Sequence, residues 1–145
     1  MTSAPLNHQV VKAFGRSIGL LDLHIARPDS GSWADYYRQW VDAGYAGEMA
    51  YMTRDPHRRS HPEEVLKDVQ SVLIASMNYF PGNGRRSILD DPERGYISNY
   101  ALGMDYHEVL KEKLEQVLEF IRNGAQESGE ERFREVHGKV YVDTG

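Results

Sequence analysis

An aspartate near the carboxyl end of the sequence is the residue best placed to carry chemistry. Asp143 follows a strand-like Tyr-Val pair and precedes Thr144 and Gly145. Polar groups at the carboxyl ends of strands face the crevice where α/β proteins bind ligands, and a carboxyl group there can act as a general acid. The structural alternative is an Asx turn, in which Asp143 accepts hydrogen bonds from the two amides that follow it.

A second polar cluster stands at the start of the most regular helical pattern. Asp105 can cap this helix, and Glu108 follows three residues later, as in a capping box. The free amides of the first turn and the polar tips of Tyr106 and His107 can instead hold an anionic or amide group of a ligand. The capping role and the ligand role are compatible, so both stay open.

The sequence gives little support for a metal site or for a nucleophile. It contains no cysteine, which removes disulfides, thiolate zinc sites and protein-ligated iron–sulfur clusters from this chain. His57 and His61 are four residues apart, but the arginines between them and the proline after them argue against a helical pair of metal ligands. Serine-nucleophile and phosphate-loop motifs are absent as well. Because cysteines are missing and the histidine pair is unsuitable, we expect no protein-ligated metal.

Length and composition indicate one globular domain. The chain has 145 residues, of which 40% are hydrophobic and 27% charged, both ordinary values for a globular protein. A net charge of −5 argues against a general nucleic-acid binder. No stretch approaches the roughly 20 apolar residues of a membrane span, and the N-terminus lacks the apolar segment of a secretory signal. We expect a cytoplasmic protein that does not enter a membrane.

The order of the elements predicts an α/β fold with a partial mixed or parallel sheet and flanking helices. The final strand is expected to pair in parallel with the strand over 71–79, because a crossover helix joins them, and the chain is expected to be truncated after that strand. A loop over 44–52 mixes glycine with large apolar residues, as if packed against a ligand, and a long polar loop covers 81–95. The predicted helices cover 7–19, 33–41 and 106 to about Gly124, and the predicted strands cover 20–26, 71–79 and 136–143.

Four segments, in order and at similar spacing, resemble the N-terminal part of the epoxyqueuosine reductase family. Any one of them is weak evidence, but together they cover nearly the whole chain. Two residues depart from the family pattern, since Asn99 and Met104 stand where relatives often carry basic or other polar residues. The segments are AGYAGEMAYM over 43–52, a stretch over 54–66 with Arg54, Pro56, Arg58, Arg59, Pro62 and Leu66, SVLIASMNY over 71–79, and ISNYALGMDYHEVLK over 97–111 with VDTG over 142–145.

The resemblance implies an oxidoreductase of queuosine biosynthesis. Enzymes of this family reduce epoxyqueuosine to queuosine at the wobble position of tRNA, with cobalamin and two four-iron clusters as cofactors. Residues 1–145 would then be the N-terminal part of a cobalamin-binding reductase domain. The ferredoxin-like iron–sulfur module that follows it in the family is absent from this chain, so we expect the chain alone to be inactive.

The resemblance also assigns roles to individual residues. The aspartate of the Val-Asp-Thr-Gly motif, here Asp143, would donate a proton to the substrate. The positions matching the corrinoid or substrate side of the pocket are Arg59, Tyr100, Asp105, Tyr106 and His107. The basic cluster of Arg54, Arg58 and Arg59 would contribute to a tRNA surface, although such arginines often form ordinary surface ion pairs instead.

Two alternatives belong to other functional classes. In the first alternative, the chain is a stand-alone, non-catalytic module that binds a corrinoid or a protein partner. In the second, it is part of a related corrinoid-dependent reductase that acts on another substrate. A sheet that ends on an unpaired strand offers an edge for a second copy, so dimerisation or aggregation through that edge is also expected.

Overall fold

A computed structural model describes residues 6–80, 82, 88–89, 91–131 and 135–143. Helices and strands are interspersed along the chain, which confirms the mixed α/β class. A short 3-10 turn at Asn99–Ala101 precedes the last helix. The elements are α1 His8–Ser17, β1 Asp22–Ala26, α2 Trp33–Asp42, α3 Ala50–Thr53, α4 Pro56–Ser60, α5 Pro62–Val65, β2 Val72–Ser76 and α6 Tyr106–Ser128.

The described residues divide into two compact units. The first contains residues 6–23 and those from 75 to 143, and the second contains residues 24–74. Within the described ranges, no helix is long and apolar enough to cross a membrane.

The first unit is organised around α1 and α6. The rings of Phe14 and Phe120 stack with their centroids 4.1 Å apart. The Asn7 side chain caps α1 by accepting hydrogen bonds from the amides of residues 9 and 10. At the other end of α1, Lys113 of α6 donates a hydrogen bond to the carbonyl of Ile18. The buried apolar side chains of this unit are Val11, Leu20, Leu23, Val117 and Ala125.

Helix α6 starts where the sequence predicts but ends later. Asp105 occupies the N-cap, and the helix ends at Gly129, whose φ of +67° lies in the left-handed region that favours glycine. The prediction that Gly124 stops the helix is wrong. A Cβ at Gly124 would lie 3.1 Å from Leu6 Cδ1, so this glycine allows close packing inside the helix.

Strands β1 and β2 form a two-stranded sheet. The Leu21 amide donates to the Ser76 carbonyl at 2.8 Å, which places the start of β1 beside the end of β2 and makes the pair antiparallel. The strands predicted over 20–26 and 71–79 are therefore present, in shorter form.

The predicted strand over 136–143 is wrong, and so is its parallel pairing with 71–79. Residues 136–142 are described by the structure and form no strand. This segment lies against α6 instead: Arg122 Nε donates to the Val136 carbonyl at 3.1 Å, and a Cβ at Gly138 would lie 2.5 Å from Leu118 Cδ1. Contact with a helix side chain has taken the place of strand pairing.

In the second unit, α2 is followed by three short helices. Tyr37 of α2 donates a hydrogen bond to the Met52 carbonyl, and Ser30 Oγ donates to the Ser60 carbonyl at 2.7 Å. Ser32 stands at the N-cap of α2 as predicted, but its side chain makes no capping hydrogen bond. The loop predicted over 44–52 runs into α3, which begins at Ala50. In the loop predicted over 81–95, residues 81, 83–87 and 90 lie outside the described residues.

Candidate functional site

The first unit brings Asp143 to the N-terminal end of α6. The Tyr106 hydroxyl donates a hydrogen bond to Asp143 Oδ2, across 37 residues of sequence. His107 Nε2 lies 3.3 Å from the same oxygen. The two candidate groups that the sequence shows separately are therefore one cluster in the fold.

Asp105 fixes the other side of the His107 ring. Its Oδ1 accepts a hydrogen bond from the His107 amide at 2.9 Å and lies 2.8 Å from His107 Nδ1. The hydrogen bond from the His107 amide, and then that from the His107 ring, lower the pKa of Asp105 below its ordinary value. Asp105 is therefore a carboxylate at neutral pH, both as helix cap and as ring partner.

Tyr106 is held as a neutral hydrogen-bond donor. Its hydrogen bond to the Asp143 carboxylate raises the pKa of the Tyr106 hydroxyl from 10.0 to about 12. The Tyr106 ring stacks on the His107 ring with centroids 4.1 Å apart. The Tyr100 ring meets Tyr106 edge-on at 6.1 Å. The rings of Tyr100, Tyr106 and His107 are therefore packed in series, with Tyr106 in the middle.

Asp143 itself is half-exposed and has an uncommon backbone. Its φ of +56° lies in the left-handed region, where aspartate and asparagine are the most tolerated residues after glycine. The side chain keeps 51% of its exposure. The Tyr106 hydroxyl and His107 Nε2 both lie at Oδ2, whereas Oδ1 accepts no hydrogen bond from the residues that the structure describes.

Arg59 belongs to the second unit and has its own contacts there. One guanidinium nitrogen donates to the Tyr51 carbonyl at 2.7 Å, and the guanidinium carbon lies 5.9 Å from the centre of the Tyr51 ring. Of the six site residues predicted from sequence, the structure thus gathers Asp143, Tyr100, Asp105, Tyr106 and His107, all in the first unit. Their functional roles, and that of Arg59, stay predictions.

Histidines of the second unit pack against each other. The rings of His57 and His61 stack with centroids 3.7 Å apart, and His57 Nδ1 lies 2.9 Å from Glu64 Oε1. Among the residues with described positions, no three histidine or carboxylate side chains are arranged to hold a metal ion.

Sequence reasoning missed the contact that makes the site. The residues around Asp143 in the sequence do not indicate that it contacts Tyr106 and His107. These contacts depend on how the segment 136–142 lies along α6. Tyr51 as the partner of Arg59 was missed as well. The aromatic residue eight positions before a candidate arginine was the available signal.

Comparisons with known proteins point to one family over much of the chain. The family model described as "Epoxyqueuosine reductase QueG, DUF1730" matches residues 59–144. A protein named epoxyqueuosine reductase from Pseudomonas aeruginosa is 36% identical over 115 residues, which are 79% of this chain and 32% of that protein. The protein of the same name from Escherichia coli is 36% identical over 115 residues, 79% of this chain and 30% of that protein.

A third relative matches a longer part of the chain. The epoxyqueuosine reductase of Gloeobacter violaceus is 37% identical over 137 residues, which cover 93% of this chain and 39% of that protein. The chain thus spans about a third of the length of the curated relatives it matches. No solved structure matches it.

Proposed function

Because the chain belongs to the epoxyqueuosine reductase QueG, DUF1730 family, we propose that it forms the N-terminal part of a cobalamin-dependent enzyme that reduces epoxyqueuosine to queuosine in tRNA. The observation that carries the proposal is the convergence of Tyr106 and His107 on one oxygen of Asp143. That arrangement orients a carboxyl group, as a proton donor requires.

The side chains near Asp143 suit one edge of a corrinoid. A corrinoid offers a broad apolar ring bordered by amide groups, and sites for such ligands combine apolar surface with a few placed polar groups. Tyr100 and Met104 are 54% and 76% exposed, beside the polar Asp105 and His107. Tyr100, Tyr106 and His107 would contact the cofactor here. The assignment of Arg59 to the cofactor rests on the family resemblance alone.

Bound cobalamin would supply the electrons for the reduction. Iron–sulfur clusters would return electrons to the cofactor. Residues 1–145 contain no cysteine to ligate such clusters, so their ligands would come from residues outside this range. What this chain contributes is proton chemistry. Asp143, oriented through Oδ2, would give a proton from Oδ1 to the departing epoxide oxygen, which avoids the release of a bare oxyanion.

A tRNA substrate also needs positive charge near its phosphates. Arg54, Arg58 and Arg59 lie in or beside α4, and we assign them to this contact. The contact would be local, since the chain as a whole carries a net charge of −5.

A chimera tests the proposal. Residues 1–145 are joined to the part of the Pseudomonas aeruginosa relative beyond the matched segment, and epoxyqueuosine reduction is measured in tRNA from an Escherichia coli strain lacking its own reductase. We expect an active chimera that binds cobalamin, and a loss of at least about 100-fold on Asp143→Asn, because a positioned acid contributes that much or more. Asp91→Asn, which removes a surface carboxylate paired with Arg94, is the matched control and should keep full activity.

Two results would contradict parts of the proposal. An active chimera that is unaffected by Asp143→Asn would remove the proton-donor role. A folded chimera that binds cobalamin, seen in its absorption spectrum, but leaves epoxyqueuosine unreduced would favour a corrinoid-binding module or a reductase with another substrate.

A further inference from the structure

His107 lies between two carboxylates, one at each ring nitrogen. Nδ1 is 2.8 Å from Asp105 Oδ1, and Nε2 is 3.3 Å from Asp143 Oδ2. These distances define a chain of three side chains that ends at the proposed proton donor. The proton-donor mechanism proposed for Asp143 does not use the ability of this imidazole to bind and release a proton.

Contacts with Asp105 and with Tyr106 keep the ring in this position. Asp105 holds the ring nitrogen and the His107 amide with the same oxygen, so the ring orientation is tied to the helix cap. The Tyr106 ring stacks on the opposite side at 4.1 Å. Among the residues with described positions, the ionisable groups in contact with the imidazole are Asp105, Asp143 and Tyr106.

We propose that His107 acts through Asp143 as a proton relay, with Asp105 as the group that fixes its tautomer. This rests on the proposed function of Asp143 as the proton donor. Asp105 is closer to Nδ1, at 2.8 Å, than Asp143 is to Nε2, at 3.3 Å, so Asp105 holds the Nδ1 proton more strongly. The proton that leaves the imidazolium is then the one on Nε2, on the side of Asp143.

Removal of the epoxide oxygen as water takes two electrons and two protons, so the relay would operate twice in one turnover, once for each proton. Asp143 gives its proton to the substrate oxygen and becomes a carboxylate. The imidazolium then passes its Nε2 proton to Asp143 Oδ2, which restores the neutral carboxylic acid and leaves a neutral imidazole with its proton on Nδ1. Rotation of the carboxyl group presents the new proton to the ligand side. Solvent returns a proton to Nε2, because the His107 side chain keeps 52% of its exposure.

The tautomer of His107 is measurable on the chain as it is. Long-range proton–nitrogen NMR spectra of the 145-residue protein, labelled on histidine, identify which ring nitrogen carries the proton in the neutral form. We expect the proton on Nδ1 of His107 and, as an internal control, on Nε2 of His137, whose Nε2 lies 3.4 Å from Glu135 Oε1. Asp105→Ser keeps a capping side chain but removes the carboxylate, so the Nδ1 preference of His107 should disappear.

Activity of the chimera gives a second readout. His107→Ala should lower kcat by up to about 100-fold, the low end for a positioned acid or base, with little change in KM. Added imidazole should restore part of the loss, whereas Asp143→Asn should not respond to imidazole. His137→Ala is the matched control and should keep full activity.

A neutral His107 with its proton on Nε2 would overturn the relay, because that tautomer can only hold Asp143 in place. A His107→Ala loss that appears in KM alone, or that imidazole leaves unchanged, would overturn it as well. If the chimera does not reduce epoxyqueuosine, the proposed function fails, and the tautomer still decides whether this chain is built as a relay.

Discussion

At the scale of single residues, the two oxygens of Asp143 differ in what they contact. Oδ2 accepts a hydrogen bond from the Tyr106 hydroxyl and lies near His107 Nε2, whereas Oδ1 has no hydrogen-bond donor among the described residues. The hydrogen bond that Tyr106 donates to this carboxyl group favours the protonated form of the tyrosine. The clearest electrostatic consequence is therefore expected at Tyr106.

The raised pKa of Tyr106 gives a pH-dependent prediction. The pKa is about 12 in the folded protein, above the ordinary value of 10.0, chiefly because of the hydrogen bond to Asp143. The hydrogen bond therefore contributes to stability fully below about pH 10, and the contribution is lost as pH rises from there through about 12. The absorbance of ionised tyrosine near 295 nm should show one of the nine tyrosines ionising late.

Two substitutions check the assignment. Tyr106→Phe should remove the late step, and Asp143→Asn should bring it to lower pH because the carboxylate that favours the protonated hydroxyl is gone. Tyr36→Phe, in the exposed part of α2, should leave the late step in place. A late step that survives Tyr106→Phe would show that another tyrosine carries it.

At the scale of elements, the contact between the segment 136–142 and α6 determines where Asp143 lies. Gly138 lies close against the helix, since a Cβ there would lie 2.5 Å from Cδ1 and 3.2 Å from Cδ2 of Leu118. An alanine would have to displace the whole end of the leucine side chain.

Gly138→Ala is therefore expected to destabilise the protein by about 1 to 2 kcal/mol, within the usual range for overpacking and below its upper limit because Leu118 is only partly buried. Urea unfolding followed by circular dichroism measures this free energy. Gly103→Ala, where a Cβ meets no atom within 4 Å, is the control and should change it by less than about 0.5 kcal/mol. Equal effects of the two substitutions would show that the 136–142 segment does not pack on α6 in solution.

Local signals predicted the start of α6 well but not its end. The cap at Asp105 depends on neighbouring residues alone, so the sequence locates it. Gly124 and Gly129 are equally good stop signals locally, and the packing of Leu6 against Gly124 decides that the helix continues. The last segment was misassigned for a similar reason: its alternation suits a strand, but its neighbour in the fold is a helix.

The candidate site divides in the same way. Family resemblance selects Asp143, Tyr106 and His107 one by one, because each stands in a recognisable motif. It does not predict that Tyr106 and His107 share one oxygen of Asp143, since that depends on tertiary packing across 37 residues.

At the scale of the whole molecule, few of the side chains that the structure describes are completely buried. Leu23 is the largest described side chain below 2% exposure, and its neighbours include Gly15, whose missing Cβ leaves room for the Leu23 methyl group. A small core means that a single deep truncation removes a large share of the packing.

Leu23→Ala should lower the free energy of unfolding by about 2 to 5 kcal/mol, the usual cost of emptying a buried leucine site. Because typical domains are stable by about 5 to 15 kcal/mol, this variant should be partly unfolded at room temperature or close to it. Leu21→Ala, two residues earlier and 64% exposed, is the control, and its thermal unfolding should stay near that of the wild type. A Leu23→Ala protein as stable as the control would contradict the packing described here.

The position of the tryptophans gives the two units separate optical signatures. Trp33 and Trp40, the only two in the sequence, both lie in α2 and hence in the second unit. Intrinsic fluorescence excited at the red edge therefore reports on the second unit alone, whereas far-ultraviolet ellipticity is weighted towards the 23-residue α6 of the first. Superimposable melting curves from the two signals would mean that both units unfold as one cooperative body, and a gap between the curves would measure how independently each one stands.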